Sequence, residues 1–328
     1  MLNPYLHLNP KLFEKDVSQI PTRDGFGEAL VYLGEVNPNV VVLTADLSES
    51  TRCEEFAKKF PERFFEVGVA EQNMAGIAAG LAVSGKIPFI SSYATFSPGK
   101  NWETIRTTIV YNRANVKIAG HHSGIVTGPD GATHQATEDI AITRAWPDIQ
   151  VIVPCDSIEA KKATILSAKT TEPVYLRFTR DKTPVITTEH TPYEENKIQT
   201  FWVTDNPKAT IFAAGHLLYY ALLAAKNLEE KGINVLVANV SSVKPIDGKS
   251  LLELAKIGAA VSVEDHQTAG GLGGALAEFF AKNKPLPMEF VGLQDTFAES
   301  GAALALIKKY QMDETAIEKA VEKVIRRK

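Results

Sequence analysis

The chain has 328 residues, 45% of them hydrophobic and 23% charged, the composition of an ordinary globular protein of one or two domains. Lys plus Arg number 35 against 39 Asp plus Glu, a formal charge of −4 with no basic excess, which disfavours general nucleic-acid binding. Two cysteines, Cys53 and Cys155, exclude a disulfide framework and a CxxC metal knuckle, and no signal-peptide pattern or bilayer-length apolar run occurs, so a reducing cytoplasm is the expected compartment.

In chain order, the pattern Phe26, Leu30, Leu33 predicts a helix over 24–35, and the aliphatic run at 40–46 predicts a buried strand. A small-residue helix, EQNMAGIAAGLAV, follows at 71–83. Strands are predicted at 86–92, 115–120, 149–156 and 173–179. Between the last two lies a helix over 156–170, with Asp156 as N-cap and Glu159 three residues on. The polar, proline-bearing stretch near 183–206 reads as a linker with room for one strand. A second series follows: a strand at 209–215, a helix closed by Gly232, two further strand–helix alternations, a Gly-led helix from 270, and a last helix ending in a basic turn. Strands alternating with helices imply an α/β fold of two domains, 1–190 and 206–328 with a linker at 191–205. Each is a mainly parallel sheet with helices on both faces.

Ligands bind at the carboxyl ends of strands in such sheets, and four loops there are unusual. Ala45–Ser50 follows an aliphatic strand. Val67–Met74 carries Glu71 at the head of an apolar helix, where a poorly solvated carboxyl could share a proton with a ligand nitrogen; a first-turn Glu serving the helix dipole is the plainer alternative. His122, Asp130 and His134 lie on one loop, too widely spaced for a compact metal site; they suit a polar-substrate site or a structural turn. Arg180 at a strand tip suits an anionic ligand, whereas Arg177, inside the strand, suits a structural ion pair. Gly270–Gly274 reads as close helix packing rather than a nucleotide fingerprint.

Together these segments resemble the C-terminal half of transketolase, its pyrimidine-binding domain followed by its C-terminal domain. The resemblance rests on Ala45-Asp46-Leu47, on Glu66 to Met74, and on Gly128-Pro129-Asp130-Gly131-Ala132-Thr133-His134-Gln135. It extends to Val153-Pro154-Cys155-Asp156, Val263 to His266 and Gly270 to Gly273, all in the family's order. It implies that Glu71 bonds N1′ of the aminopyrimidine of thiamine diphosphate, favouring the tautomer that takes the thiazolium C2 proton. It implies cofactor contacts from Tyr93, Phe96 and Asp46. It assigns Asp130 to a sugar hydroxyl and His134 to proton transfer on the acceptor carbonyl. His122, Arg23, Ser50 and Arg180 become the phosphate-binding group, His122 also acting as a catalytic residue.

Larger members of the family have Arg-Glu-His where Ala70-Glu71-Gln72 stands, Asp at Ser123, and Glu and Pro at Pro129 and Ala132, so the resemblance does not carry the identity of the sugars. The Gly-Asp-Gly segment that grips the diphosphate and its metal is missing. The resemblance therefore implies a split enzyme. A separate N-terminal subunit would bring the diphosphate site and its Mg²⁺ or Ca²⁺, this chain ligating no metal, in an α2β2 heterotetramer acting on sugar phosphates. The alternatives are a 2-oxo acid dehydrogenase E1 β-like subunit, a deoxyxylulose-phosphate synthase-like half, and a non-catalytic regulatory subunit.

Overall fold

The computed structural model describes residues Met1–Lys328. A seven-stranded sheet runs in the order Ser242–Lys244, Gln150–Ile152, Val174–Arg177, Lys117–His121, Ile87–Tyr93, Val40–Thr44, Phe64–Glu66. All neighbours are parallel except the Ser242–Lys244 edge. A five-stranded sheet runs Met288–Leu293, Ala260–Gln267, Ala209–Ala213, Val235–Asn239, Gln199–Trp202, with only the last strand antiparallel. The α/β architecture expected from the alternating pattern is present in both.

Strand periodicity decides which core each residue enters. Val40 and Val42 join Phe26, Leu30, Phe56 and Ala160 on one face, whereas Val41 and Leu43 join Met74, Ala75, Ile105 and Ile140 on the other. The first face is covered by the helices Thr22–Val36 and Ser157–Ser167, which cross so closely that a Cβ at Gly25 would lie 1.9 Å from the Ser157 carbonyl oxygen. The second face is covered by Glu71–Val83 and Asp139–Arg144. Leu251, Leu272, Leu276 and Phe280 from the second half of the chain join the same core, so the halves share one apolar interior.

Asp156 caps its helix as expected, its Oδ1 accepting from Glu159 N at 2.8 Å. The reciprocal bond differs from a standard capping box: Glu159 Oε2 accepts from Cys155 N at 2.6 Å, while its Oε1 accepts from Asn239 Nδ2 at 2.7 Å. Arg177 makes the expected structural pair, Nε to Asp139 Oδ2 at 2.8 Å, fully buried.

Several features depart from the pattern read in sequence. Leu8, Leu12 and Val17, counted there with the first half, pack into the core of the five-stranded sheet. The linker contributes that sheet's Gln199–Trp202 edge, the one strand its sequence leaves room for, whereas Ser242–Lys244 unexpectedly crosses over to extend the seven-stranded sheet. Phe64–Glu66 is a strand too short and too exposed to show a period. Thr95–Val110 is helical in an irregular, partly π-type form that Pro98 and Gly99 hide from any 3.6-residue pattern.

Candidate active site

The parallel strands of the larger sheet end together at Thr44, Glu66, Tyr93, His121 and Arg177, and the four candidate loops leave from that edge. Glu71 is the first residue of its helix and is 2% exposed, the burial its apolar setting implied. It is not a solitary carboxylate: Lys100 Nζ stands 2.9 Å from its Oε2, and Asn101 Nδ2 donates to its carbonyl at 3.0 Å. The irregular helix supplies both residues. Neither was legible in sequence, since nothing in their spacing ties them to Glu71.

Glu66 fastens the neighbouring loops. Its Oε1 accepts from Asp46 N at 2.7 Å and Gly68 N at 2.9 Å, so the Asp46 turn and the segment leading into Glu71 move as one piece.

Four rings meet where the strands ending at Tyr93 and His121 give way to their loops. Tyr93 stacks on His122 at 3.7 Å between centroids and lies near-parallel to Phe96 at 5.7 Å. His134 approaches both edge-on, at 5.9 Å from Tyr93 and 5.5 Å from Phe96. Thr133 Oγ1 and His134 Nδ1 share a hydrogen bond of 2.8 Å.

Around His122 the charge is positive. Burial, reinforced by the guanidinium groups of Arg23 and Arg180, pulls its pKa down to about 3, so the ring is neutral at pH 7. It can offer or accept a hydrogen bond there but adds no charge for phosphate. Arg23 itself is held below the usual arginine range by burial and by Arg52, a guanidinium the sequence reading missed and which pairs with Asp24 Oδ1 at 2.7 Å.

Arg180 Nη1 donates to the Thr127 carbonyl at 3.1 Å, and its Nε lies 4.0 Å from Asp130 Oδ2, which brings Arg180 and Asp130 to the same loop. Ser50 meets Arg23 through its carbonyl, at 2.7 Å, and not through its hydroxyl. Asp46, Arg52 and His122 all have positive φ, at 61°, 62° and 54°, a concentration of backbone strain at this edge.

Buried polar atoms without a partner in this region include Arg23 Nε, Thr95 Oγ1, Asn101 Oδ1 and His122 Nδ1. Unpaired buried polar groups are costly, and a polar ligand at this edge would satisfy them. No group of three or more His, Cys, Asp or Glu side chains is placed to hold a metal ion.

The model of the transketolase pyrimidine-binding domain matches residues 18–185, and that of the transketolase C-terminal domain matches residues 201–317. The chain belongs to the transketolase family. A Methanocaldococcus jannaschii protein described as a transketolase C-terminal section is 44% identical over 308 residues, covering 91% of this chain and 94% of that protein. The 6-deoxy-6-sulfo-D-fructose transketolase subunit SqwH of Clostridium sp. is 35% identical over 317 residues, covering 96% and 98%. A solved structure described as a split gene transketolase, inactive beta4 tetramer, superposes with a TM-score of 0.87 at 43% identity, covering 94% of this chain and 99% of that one.

Transketolases depend on thiamine diphosphate, and the residues present fit its pyrimidine end: a buried carboxylate at a helix head, two flat aromatic rings, and unpaired buried donors and acceptors. Gly271 and Gly273 serve packing, as read in sequence. A Cβ at Gly271 would fall 2.0 Å from Glu264 Oε2, and one at Gly273 would fall 2.6 Å from the Phe290 ring.

Proposed function

We propose that this chain is the C-terminal subunit of a split transketolase that moves a two-carbon ketol unit from a ketose phosphate to an aldose phosphate. In this reading it supplies the pyrimidine side of the coenzyme pocket and the sugar-binding loop. A separate N-terminal chain supplies the diphosphate site with Mg²⁺ or Ca²⁺, in an α2β2 assembly. We divide the chain into a pyrimidine-binding unit at 1–190 and a C-terminal unit at 206–328, joined by 191–205, with Leu8, Leu12 and Val17 of the first packing onto the core of the second.

The observation that carries the reading is the buried Glu71 carboxylate at its helix head, tied through Lys100 to the Thr95–Lys100 segment whose Phe96 belongs to the cluster of Tyr93, His122 and His134 rings. When bound, thiamine diphosphate supplies the nucleophilic carbon that accepts the ketol unit. Glu71 would hold a proton at the aminopyrimidine nitrogen, and Tyr93, Phe96 and Asp46 would contact the coenzyme. His134 moves a proton at the acceptor carbonyl oxygen, and neutral His122 hydrogen-bonds a substrate oxygen. Asp130 accepts from a sugar hydroxyl. Arg23 and Arg180, with the Ser50 turn, meet the terminal anion. The same guanidinium groups would take a sulfonate, the group named in the substrate of the Clostridium relative.

The test is reconstitution. The purified chain with thiamine diphosphate and Mg²⁺ is expected to transfer no ketol from xylulose 5-phosphate to ribose 5-phosphate, and mixing with its N-terminal partner is expected to switch activity on. Full activity of the chain alone defeats the split reading. Turnover of pyruvate instead of the sugar pair by the mixed complex favours the 2-oxo acid or deoxyxylulose-phosphate alternatives.

A further inference from the structure

The loop that carries His122, Asp130 and His134 belongs to the first half of the chain, yet its shape is set from the second. Asp265 lies on the strand Ala260–Gln267 and is fully buried. Its Oδ1 accepts from Ile125 N at 2.9 Å, and its Oδ2 meets Val126 N at 3.4 Å and His216 Nε2 at 3.0 Å. Those two amides open the short 3₁₀ turn Ile125–Asp130, so the carboxylate acts as an N-cap delivered from another domain. Gly124, at φ 77°, makes the approach possible: a Cβ there would fall 2.1 Å from Asp265 Oδ2.

The same loop is fastened and closely packed elsewhere by the second half: Gln135 Nε2 donates to the Glu299 carbonyl at 3.1 Å, and Gly131 leaves no room for a side chain, a Cβ there falling 2.4 Å from Ser300 Oγ. Arg177 Nη2 donates to the Asp265 carbonyl at 2.8 Å, locking the strand end to the larger sheet. Within the loop, Thr127 Oγ1 donates to the His122 carbonyl at 2.6 Å and the Thr127 carbonyl accepts from Arg180, so fixing 125 and 126 also fixes the residues placed on substrate.

The adjacent residue makes the contrast. Glu264 is also a buried carboxylate that caps amides, accepting from Leu272 N at 2.6 Å and Gly273 N at 2.8 Å, but those amides are in its own domain. We propose that Asp265, oriented by His216, is a positioning residue for substrate: through the Ile125 and Val126 amides it sets His122, Asp130 and His134, and so gives the C-terminal domain a part in sugar recognition without touching the sugar. The proposal rests on the ketol-transfer reading of the loop.

The experiment compares Asp265→Asn, Glu264→Gln and wild type in the reconstituted two-subunit enzyme. An asparagine offers one acceptor where the carboxylate offers two. Asp265→Asn is therefore expected to raise the sugar-phosphate KM about tenfold while thiamine diphosphate affinity stays within about twofold. Glu264→Gln is expected to leave both unchanged even where it lowers the melting temperature. Equal KM shifts in the two variants, or none in Asp265→Asn, overturn the proposal, as does a parallel loss of coenzyme affinity.

If Asp265→Asn fails to assemble, His216→Gln carries the test. It keeps the carboxylate but frees its orientation, and an unchanged KM there overturns the proposal. Hydrogen exchange of peptides covering 122–135, measured on this chain alone, decides the clamp independently of turnover. Faster exchange is expected in Asp265→Asn and not in Glu264→Gln. A wild-type complex that transfers no ketol defeats the functional reading, whereas unaltered exchange defeats the clamp.

Discussion

The Lys100 ammonium stands 2.9 Å from the Glu71 carboxylate, with Lys100 48% exposed and Glu71 only 2%. The cation therefore reaches in from solvent to neutralise the buried acid that the proposed coenzyme nitrogen would claim. Replacing Lys100 by Met removes that competitor. Because solvent screens so exposed a partner, the contribution is held to about 1 kcal/mol, and thiamine diphosphate affinity of the assembled enzyme is expected to rise about fivefold. Calorimetric titration reads it. Weaker binding would show Lys100 to be a coenzyme ligand instead.

Glu71→Gln keeps the shape of the side chain and its place at the helix head but removes the acid. In the reconstituted complex kcat is expected to fall by roughly 10²- to 10⁴-fold, the span associated with loss of a placed proton-transfer group. Steady-state turnover measures it, and a normal rate would leave Glu71 without a catalytic part.

Removing the Arg180 guanidinium with Arg180→Ala is expected to raise the KM of a phosphorylated donor by about 10- to 100-fold and that of its unphosphorylated analogue far less, since only the former presents the anion. Equal effects on both sugars would assign Arg180 to loop structure through Thr127.

Glu159 gives a pH signature of folding. Burial, followed by the nearby Asp156 carboxylate, pushes its pKa up to about 7, above the ordinary value of 4.5. Between those two values the folded chain keeps a proton that the unfolded chain releases. Stability is therefore expected to fall as pH rises from about 4.5 to about 7, by about 3 kcal/mol from this residue alone. Denaturant melts at pH 5 and pH 8 should show a steeper loss in wild type than in Glu159→Gln; parallel losses would refute it.

The sheet-forming runs and most helices were legible because each answers to a local rule: aliphatic strands, a Gly at a helix end, Asp156 at an N-cap. The rings of the candidate site were legible only through resemblance, since Tyr93 and Phe96 read equally as core aromatics. Lys100, Asn101 and Arg52 were not legible at all, and Glu66 only as the first residue of a family-like segment, not as the clamp on Asp46. Their meaning lies in contacts across 20 to 30 positions of chain that no periodicity records, as between Lys100 and Glu71 or between Glu66 and Asp46. The exchange of Ser242–Lys244 into the other sheet was hidden for the same reason, a three-residue strand being too short to announce its partner.

That exchanged strand constrains how this polypeptide could ever be divided. Ser242 pairs with Ile152, and Val153 N donates to the Ser241 carbonyl at 2.7 Å. Severing the chain between its halves and losing the second would strip the Gln150–Ile152 edge and uncover its bonding groups, a template for fibre-like stacking. The first half expressed without the second is thus expected to carry an open sheet edge that the whole chain keeps closed.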